Sequence, residues 1–130
     1  MGDGRWIRTQ QRENKERRQT AQEDGCTPRA NVRMQTTAGI QHMCPFVHEV
    51  DNGTLTVSWE TAGWTFELHA LRAYLNTFQD REISHEDLTA EVRAELSGHY
   101  GIEAVAVSST WRTAGMEVLC STSLTLVGQP

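Results

Sequence analysis

The chain has 130 residues, 38 % of them hydrophobic, and a formal net charge of −5, a length that suits one domain with a modest core rather than two independent ones. Residues 1–29 hold seven of the twelve basic residues and five of the seventeen acidic ones, which leaves the stretch from Ala30 on at about −7 and argues against a body that wraps a nucleic-acid backbone, a task of lysine and arginine. No run approaches the roughly 20 apolar residues that span a bilayer, the N-terminus lacks the apolar stretch of a secretory signal, and Cys26, Cys44 and Cys120 are odd in number without a C-x-x-C pair, so a cytoplasmic protein with reduced thiols and no membrane partner is expected.

From Met1 to about Ala30 the sequence is polar and repeatedly charged, as in Arg12-Glu13-Asn14-Lys15-Glu16-Arg17-Arg18, and cannot bury enough surface to fold alone. Residues 1–30 are read as a disordered or frayed helical extension, the alternative being a basic arm that touches RNA or a neighbouring subunit. Residues 31–130 form the single domain. Val32 to Met43 supplies a first extended segment, interrupted at Gly39, and Thr54 to Glu60 alternates with Leu55, Val57 and Trp59 on one face. After Thr61-Ala62-Gly63, Leu68, Leu71, Leu75 and Phe78 recur at helical spacing over Glu67 to Phe78. Ser84-His85-Glu86-Asp87 has the form of a capping box and starts a second helix with the stripe Leu88, Val92 and Leu96, ended by Gly98 or Gly101. Ala104 to Trp111 and Met116 to Val127 alternate as two more strands joined at Thr113-Ala114-Gly115. The order ββααββ predicts an α+β fold, an antiparallel four-stranded sheet with both helices on one face.

Chemistry concentrates at Cys44 and Asp51, seven residues apart and leading into the best strand. A thiolate is a nucleophile toward a polarised carbon, and a nearby carboxylic acid can protonate the charge that the attack creates. A lone cysteine of this kind is equally read as a small buried hydrophobe. His42 and His48 flank it and are candidates to modulate its pKa. Neither G-x-G-x-x-G nor a Walker motif occurs, so no dinucleotide-binding subdomain is available.

Cys44-Pro45, Asp51, the strand after it, Glu67-Leu68-His69-Ala70-Leu71-Arg72-Ala73-Tyr74-Leu75-Asn76-Thr77-Phe78 and His85-Glu86-Asp87, in that order, resemble the QueF family. These are NADPH-dependent 7-cyano-7-deazaguanine reductases of the tunnelling fold. The resemblance runs from about Val32 to Leu96 and continues more loosely to the end. It implies that Cys44 attacks the nitrile carbon to give a thioimide and that Asp51 supplies the proton, as part of queuosine-type 7-deazaguanine metabolism. It further implies that Phe66, Glu67, Leu68, His85 and Glu86 hold the base, that Leu68, His69, Arg72 and Arg112 hold NADPH, and that the protein is a ring-shaped homo-oligomer with active sites at subunit boundaries. A carboxylate suits the guanine-like edge because one planar acceptor takes adjacent N–H donors together.

The chain departs from the family at two places. His69 stands where the reductases carry the first lysine of their cofactor helix, and Arg112-Thr113-Ala114-Gly115 replaces an Arg-Gly-Gly element; the first exchange removes a permanent charge and the second loses backbone that approaches a ligand closely. QueF-like amidinotransferases, which let ammonia attack the same thioimide on a base already in tRNA, are the alternative reading, and the only one with a nucleic-acid partner. A non-catalytic purine- or pterin-binding module is the third. Related tunnelling folds that act on pterins use zinc, but the spacing of His42, Cys44 and His48 is not a recurrent zinc pattern, and no metal is expected.

Overall fold

Period-two alternation builds the sheet. The computed structural model describes residues 7–9 (backbone only), 31–61, 63–99 and 101–122. Four strands, β2 (Val32–Met43), β3 (Val50–Thr61), β5 (Ile102–Thr113) and β6 (Met116–Ser121), lie antiparallel in the order β2-β3-β5-β6. Because side chains alternate across a strand, one face collects Ile40 and His42 of β2, Leu55, Val57 and Trp59 of β3, and Val105, Val107, Ser109 and Trp111 of β5, all buried. Helices α1 (Leu68–Asn76) and α2 (His85–Leu96) cover that face with Leu71 and Leu75, and with Leu88, Val92 and Leu96. Each fully buried side chain of this kind contributes about 1.5–3 kcal/mol relative to exposure. The architecture is the expected α+β, a four-stranded antiparallel sheet with both helices on one face.

Local signals set the ends. Glu67 caps α1 by accepting from the amides of His69 and Ala70, and Ser84 caps α2 by accepting from Asp87 N at 3.1 Å, each satisfying amides that a helix start leaves unpaired. Gly98 follows α2 with φ of +84°, the left-handed exit that glycine takes at least cost. Ala114 and Gly115, at φ of +54° and +75°, form the two-residue turn between β5 and β6.

Several boundaries differ from the sequence expectation. Gly39 does not interrupt β2; it sits opposite Thr54 in continuous register, since glycine keeps both backbone hydrogen-bonding groups. β3 and β5 extend beyond their alternating cores because pairing persists to Met43↔Val50, to Thr61↔Ile102 and to Thr113↔Met116. Helix α1 closes at Asn76, where Thr77 donates its hydroxyl to Tyr74 O at 2.6 Å. Two short strands were not anticipated. β1 (Ile7–Thr9), inside the segment read as disordered, pairs antiparallel with β4 (Trp64–Phe66). The remainder of residues 1–30, and the end of the last expected strand from residue 123, lie outside the described residues. No helix among the described residues is long and apolar enough to cross a membrane.

Candidate active site

The hairpin between β2 and β3 places the candidate nucleophile. His42 pairs with Asp51 and Met43 with Val50, and Cys44 leaves the sheet into a tight loop. Its N–H donates to Glu49 O at 2.8 Å and its carbonyl accepts from His48 N at 2.8 Å, so the half-buried Cys44 is held by its backbone on both sides. His48 takes the left-handed φ of 57° that closes this loop. Its ring turns outward to Glu82, Nδ1 to Oε2 at 2.5 Å. The two flanking histidines thus part company: His48 faces solvent, and His42 points into the core.

A second crossing brings α2 to this end of the sheet. Met43 N donates to Arg81 O at 2.8 Å and Ile83 N donates to Met43 O at 3.2 Å. That bridge sets His85, the first residue of α2, over the start of β3, where His85 Nε2 donates to Asp51 Oδ2 at 3.1 Å. The imidazole of His85 stacks on the Trp111 indole at 4.5 Å, 4° from parallel, while His42 meets both rings edge-on at 5.0 and 4.7 Å. Gly53 makes room for this stack, because a Cβ there would lie 2.4 Å from Trp111 Cε3.

Hydroxyls tie the assembly to the sheet. Thr89 donates to His85 O at 2.8 Å, as a hydroxyl facing the carbonyl four residues back does. Ser109 then donates to Thr89 Oγ1 at 2.6 Å, and Trp111 Nε1 donates to Ser109 Oγ at 2.8 Å. All three donors are consistent in one direction, so the buried relay is fully satisfied.

His42 Nδ1 donates to Met43 O at 3.1 Å, which leaves Nε2 as a bare lone pair. That atom is buried without a hydrogen-bond partner, 3.7 Å from Asp51 Oδ2. Burial lowers the pKa of His42, opposed by the Met43 carbonyl and reinforced by the neighbouring His85; the ring is neutral near pH 7. One ligand atom each from His42, Asp51 and His85 falls within 4.8 Å of the other two.

The remaining sequence candidates divide by position. Glu86 is exposed in the first turn of α2, next to His85. Phe66 is fully buried and packs its ring 5.0 Å from Trp59. Both carboxylate oxygens of Glu67 are engaged by the start of α1, and the His69 ring together with the helix amides lowers its pKa. Trp59 lies eight residues along β3 from Asp51, roughly 25 Å at the usual rise per residue. Phe66, Glu67 and the exposed Leu68 therefore belong to the opposite end of the sheet from Cys44, Asp51, His85 and Glu86.

Arg72 borders an open depression of about 420 Å³ lined also by Gly39, Gln41, Asn52 and Gln79, and donates to Gly39 O at 2.9 Å and Asn76 Oδ1 at 3.1 Å. Arg112 is exposed on β5, opposite Glu117, and the His69 side chain is 98 % exposed. Sequence reasoning missed Trp111, Ser109, Thr89 and the inward aim of His42. Alternation along β5 already put Ser109 and Trp111 on the face of Val107, but nothing local linked that face to His85.

A family model described as "QueF-like protein" matches residues 50–122, a span that includes Asp51, Glu67, His85, Glu86 and Arg112 and begins after Cys44. Among curated proteins, the chain is 31 % identical over 72 residues to an NADPH-dependent 7-cyano-7-deazaguanine reductase of Prochlorococcus marinus, covering 52 % of this chain and 51 % of that protein. It is 40 % identical over 53 residues to the protein of the same name from Thermosynechococcus vestitus, covering 41 % and 40 %, and 26 % identical over 89 residues to that of Parvibaculum lavamentivorans, covering 68 % and 58 %. The chain thus spans about half the length of the curated relatives it matches. Among solved structures, the apo form of the archaeosine synthase QueF-Like superposes with a TM-score of 0.63 at 21 % identity, over 74 % of this chain and 94 % of that one; the likeness is one of fold.

Proposed function

The chain belongs to the QueF-like protein family, and from that premise we propose that it forms a covalent thioimide on the nitrile of 7-cyano-7-deazaguanine and reduces it with NADPH to the aminomethyl base. The observation that carries this reading is the Asp51–His85 pair at the end of the sheet where Cys44 leaves β2, one residue past the Met43–Val50 pairing. The Cys44 thiolate bonds to the nitrile carbon, one C–N π bond opens, and the nitrogen takes the proton of Asp51, leaving a neutral thioimide and a carboxylate. His85, clamped by Trp111 and by the hydroxyl relay, holds Asp51 in orientation. Glu86 accepts from the N–H donors of the base edge.

NADPH, when bound, would supply the two hydrides that the four-electron change from nitrile to aminomethyl requires, with the C–S bond breaking between them to return Cys44 as thiolate. Arg72 on the wall of the depression and the exposed Arg112 suit its phosphates, whereas His69 lacks the permanent charge of a lysine. Glu67 and Asp51 stand at opposite ends of one sheet, farther apart than a single base reaches, so both contribute to one site only if two copies of the chain meet. The ring-shaped homo-oligomer that the family resemblance implies, with active sites at its boundaries, would bring two such ends together. The edges of β2 and β6, which pair with no further strand among the described residues, and the exposed Phe46, Val47 and Val50 near Cys44 support that arrangement.

Intact-protein mass spectrometry with the free nitrile base tests the covalent step: an adduct is expected on the wild type and none on Cys44→Ala, and an adduct that survives Cys44→Ala overturns the mechanism. Asp51→Asn should cost about 10²–10⁴-fold in turnover with little loss of base affinity. One observation favours a second outcome for the same intermediate, namely that no lysine stands in the body of the chain and His69 occupies the place of the cofactor-helix lysine. If the adduct forms but NADPH is never consumed, and ammonia yields an amidine instead, the chain is an amidinotransferase.

A further inference from the structure

Among the described residues, His42 presents a buried ring nitrogen that is left bare. Its side chain is 1 % exposed, its Nδ1 is committed to Met43 O, and its Nε2 has no donor within hydrogen-bond distance. A buried acceptor left unmatched carries a desolvation penalty that nothing repays. The nearest polar atom, Asp51 Oδ2 at 3.7 Å, is too far for a direct hydrogen bond, yet suits two ligands of one ion. Atoms bound tetrahedrally at about 2.0–2.1 Å sit roughly 3.3 Å from each other, and the two recorded separations, 3.1 Å for His85–Asp51 and 3.7 Å for His42–Asp51, bracket that value.

We propose that His42 Nε2, Asp51 Oδ2 and His85 Nε2 form a binding site for a divalent transition-metal ion of the zinc type, with a fourth position left open. Two imidazoles and one carboxylate are a donor set that such ions take with three protein ligands. The supporting shell is built: the Met43 carbonyl fixes the tautomer that presents Nε2 of His42, and Trp111 fixes the plane of His85. To ligate, His85 moves its proton from Nε2 to Nδ1, and a protonated Asp51 releases its own; no redox change is involved. The sequence offered only His42, Cys44 and His48, whose spacing argued against a metal; the fold instead sets Asp51 and His85 beside His42. Resting on the proposed nitrile chemistry, one consequence follows: an ion on Oδ2 keeps Asp51 a carboxylate with no proton to give, so metal and thioimide formation exclude each other.

The test is titration of the full-length, chelator-treated protein with Zn²⁺ by calorimetry and with Co²⁺ by visible absorption. One ion per chain is expected at micromolar affinity, with the d–d bands of a low-coordinate nitrogen and oxygen site and without the near-ultraviolet charge-transfer band of a thiolate ligand. His42→Gln and His85→Gln should each weaken binding at least tenfold, and Cys44→Ala should leave it unchanged; His85, at the edge of the core, serves where His42→Gln fails to fold. Binding that is undiminished in both histidine variants, or abolished by Cys44→Ala, overturns the site. Adduct formation with the nitrile base should stop on adding Zn²⁺ and return with chelator. A protein that binds the ion through these histidines yet forms no adduct under any condition supports the metal site and refutes the nitrile reading.

Discussion

At one end of the helix-covered face, Trp59, Phe66 and His99 pack edge to face, with Trp59 Nε1 donating to Thr65 Oγ1 at 3.2 Å and His99 Nε2 to Glu95 O at 3.2 Å. At the other end Trp111 lies flat on His85 and edge-on to His42, with Asp51 beside them. Both ends are aromatic and both bury a histidine. They differ in what is done with the polar atoms. Around Trp59 the ring nitrogens of Trp59 and His99 find partners inside the fold, so this buried cluster serves stability. Around Trp111 a ring nitrogen and a carboxylate are held close without being fully matched, at an energetic cost that only a proton, a substrate or an ion removes.

Truncation should break this contrast most visibly at the sealed end. Phe66→Ala removes a fully buried ring from between Trp59 and His99, and should cost about 3–5 kcal/mol in denaturant unfolding. Ligand addition should restore little of it, because the lost contacts are apolar and lie far from Asp51. A loss below about 1 kcal/mol would mean that this end is not the core it resembles.

The reactive end should break through geometry instead. In Gly53→Ala the new Cβ meets Trp111 Cε3 at 2.4 Å and Thr110 O at 2.6 Å, so strand and indole must separate. Overpacking of this kind costs about 1–3 kcal/mol. Since Trp111 carries the ring of His85, the variant should also lose adduct formation with the nitrile base out of proportion to its stability. Unfolding by urea and adduct yield by mass spectrometry, measured on one preparation, separate the two effects; a variant as reactive as the wild type would show that Trp111 does not position His85.

How far these ends were legible in the sequence follows from the range of the signals. Alternation in Leu55, Val57 and Trp59, the helical stripe of Leu88, Val92 and Leu96, and the Ser84 cap are local, and each appears in the fold. Cys44 and Asp51 were visible as a spaced pair. Local pattern does not say which distant group faces them, and only the family resemblance put His85 at the same base: His85 reaches Asp51 where Met43 bridges to Arg81 and Ile83, a contact between segments with no shared periodicity. The same reasoning explains β1, where three residues in a polar stretch pair with β4. Backbone pairing needs little side-chain burial, so composition does not announce it.

The smallest expected effect concerns that bridge. Arg81 spans from the bridging segment to α2 with two bonds to Glu91, at 2.6 and 3.1 Å, and the guanidinium lowers the Glu91 pKa while its own rises. A carboxylate depressed in the folded state stabilises above its unfolded value of about 4.5 and loses that contribution as pH falls through the lower, folded value. Both side chains are more than two-fifths exposed, so water and salt screen the pair to less than about 1 kcal/mol. Glu91→Gln should therefore be slightly less stable than wild type at pH 7 in low-salt urea titrations, with the difference vanishing near pH 3 and shrinking at high salt. A difference that persists at pH 3 would assign the effect to packing rather than charge. A difference of several kcal/mol at pH 7 would make the ion pair, and not the backbone bonds of Met43, the element that holds α2 over Asp51.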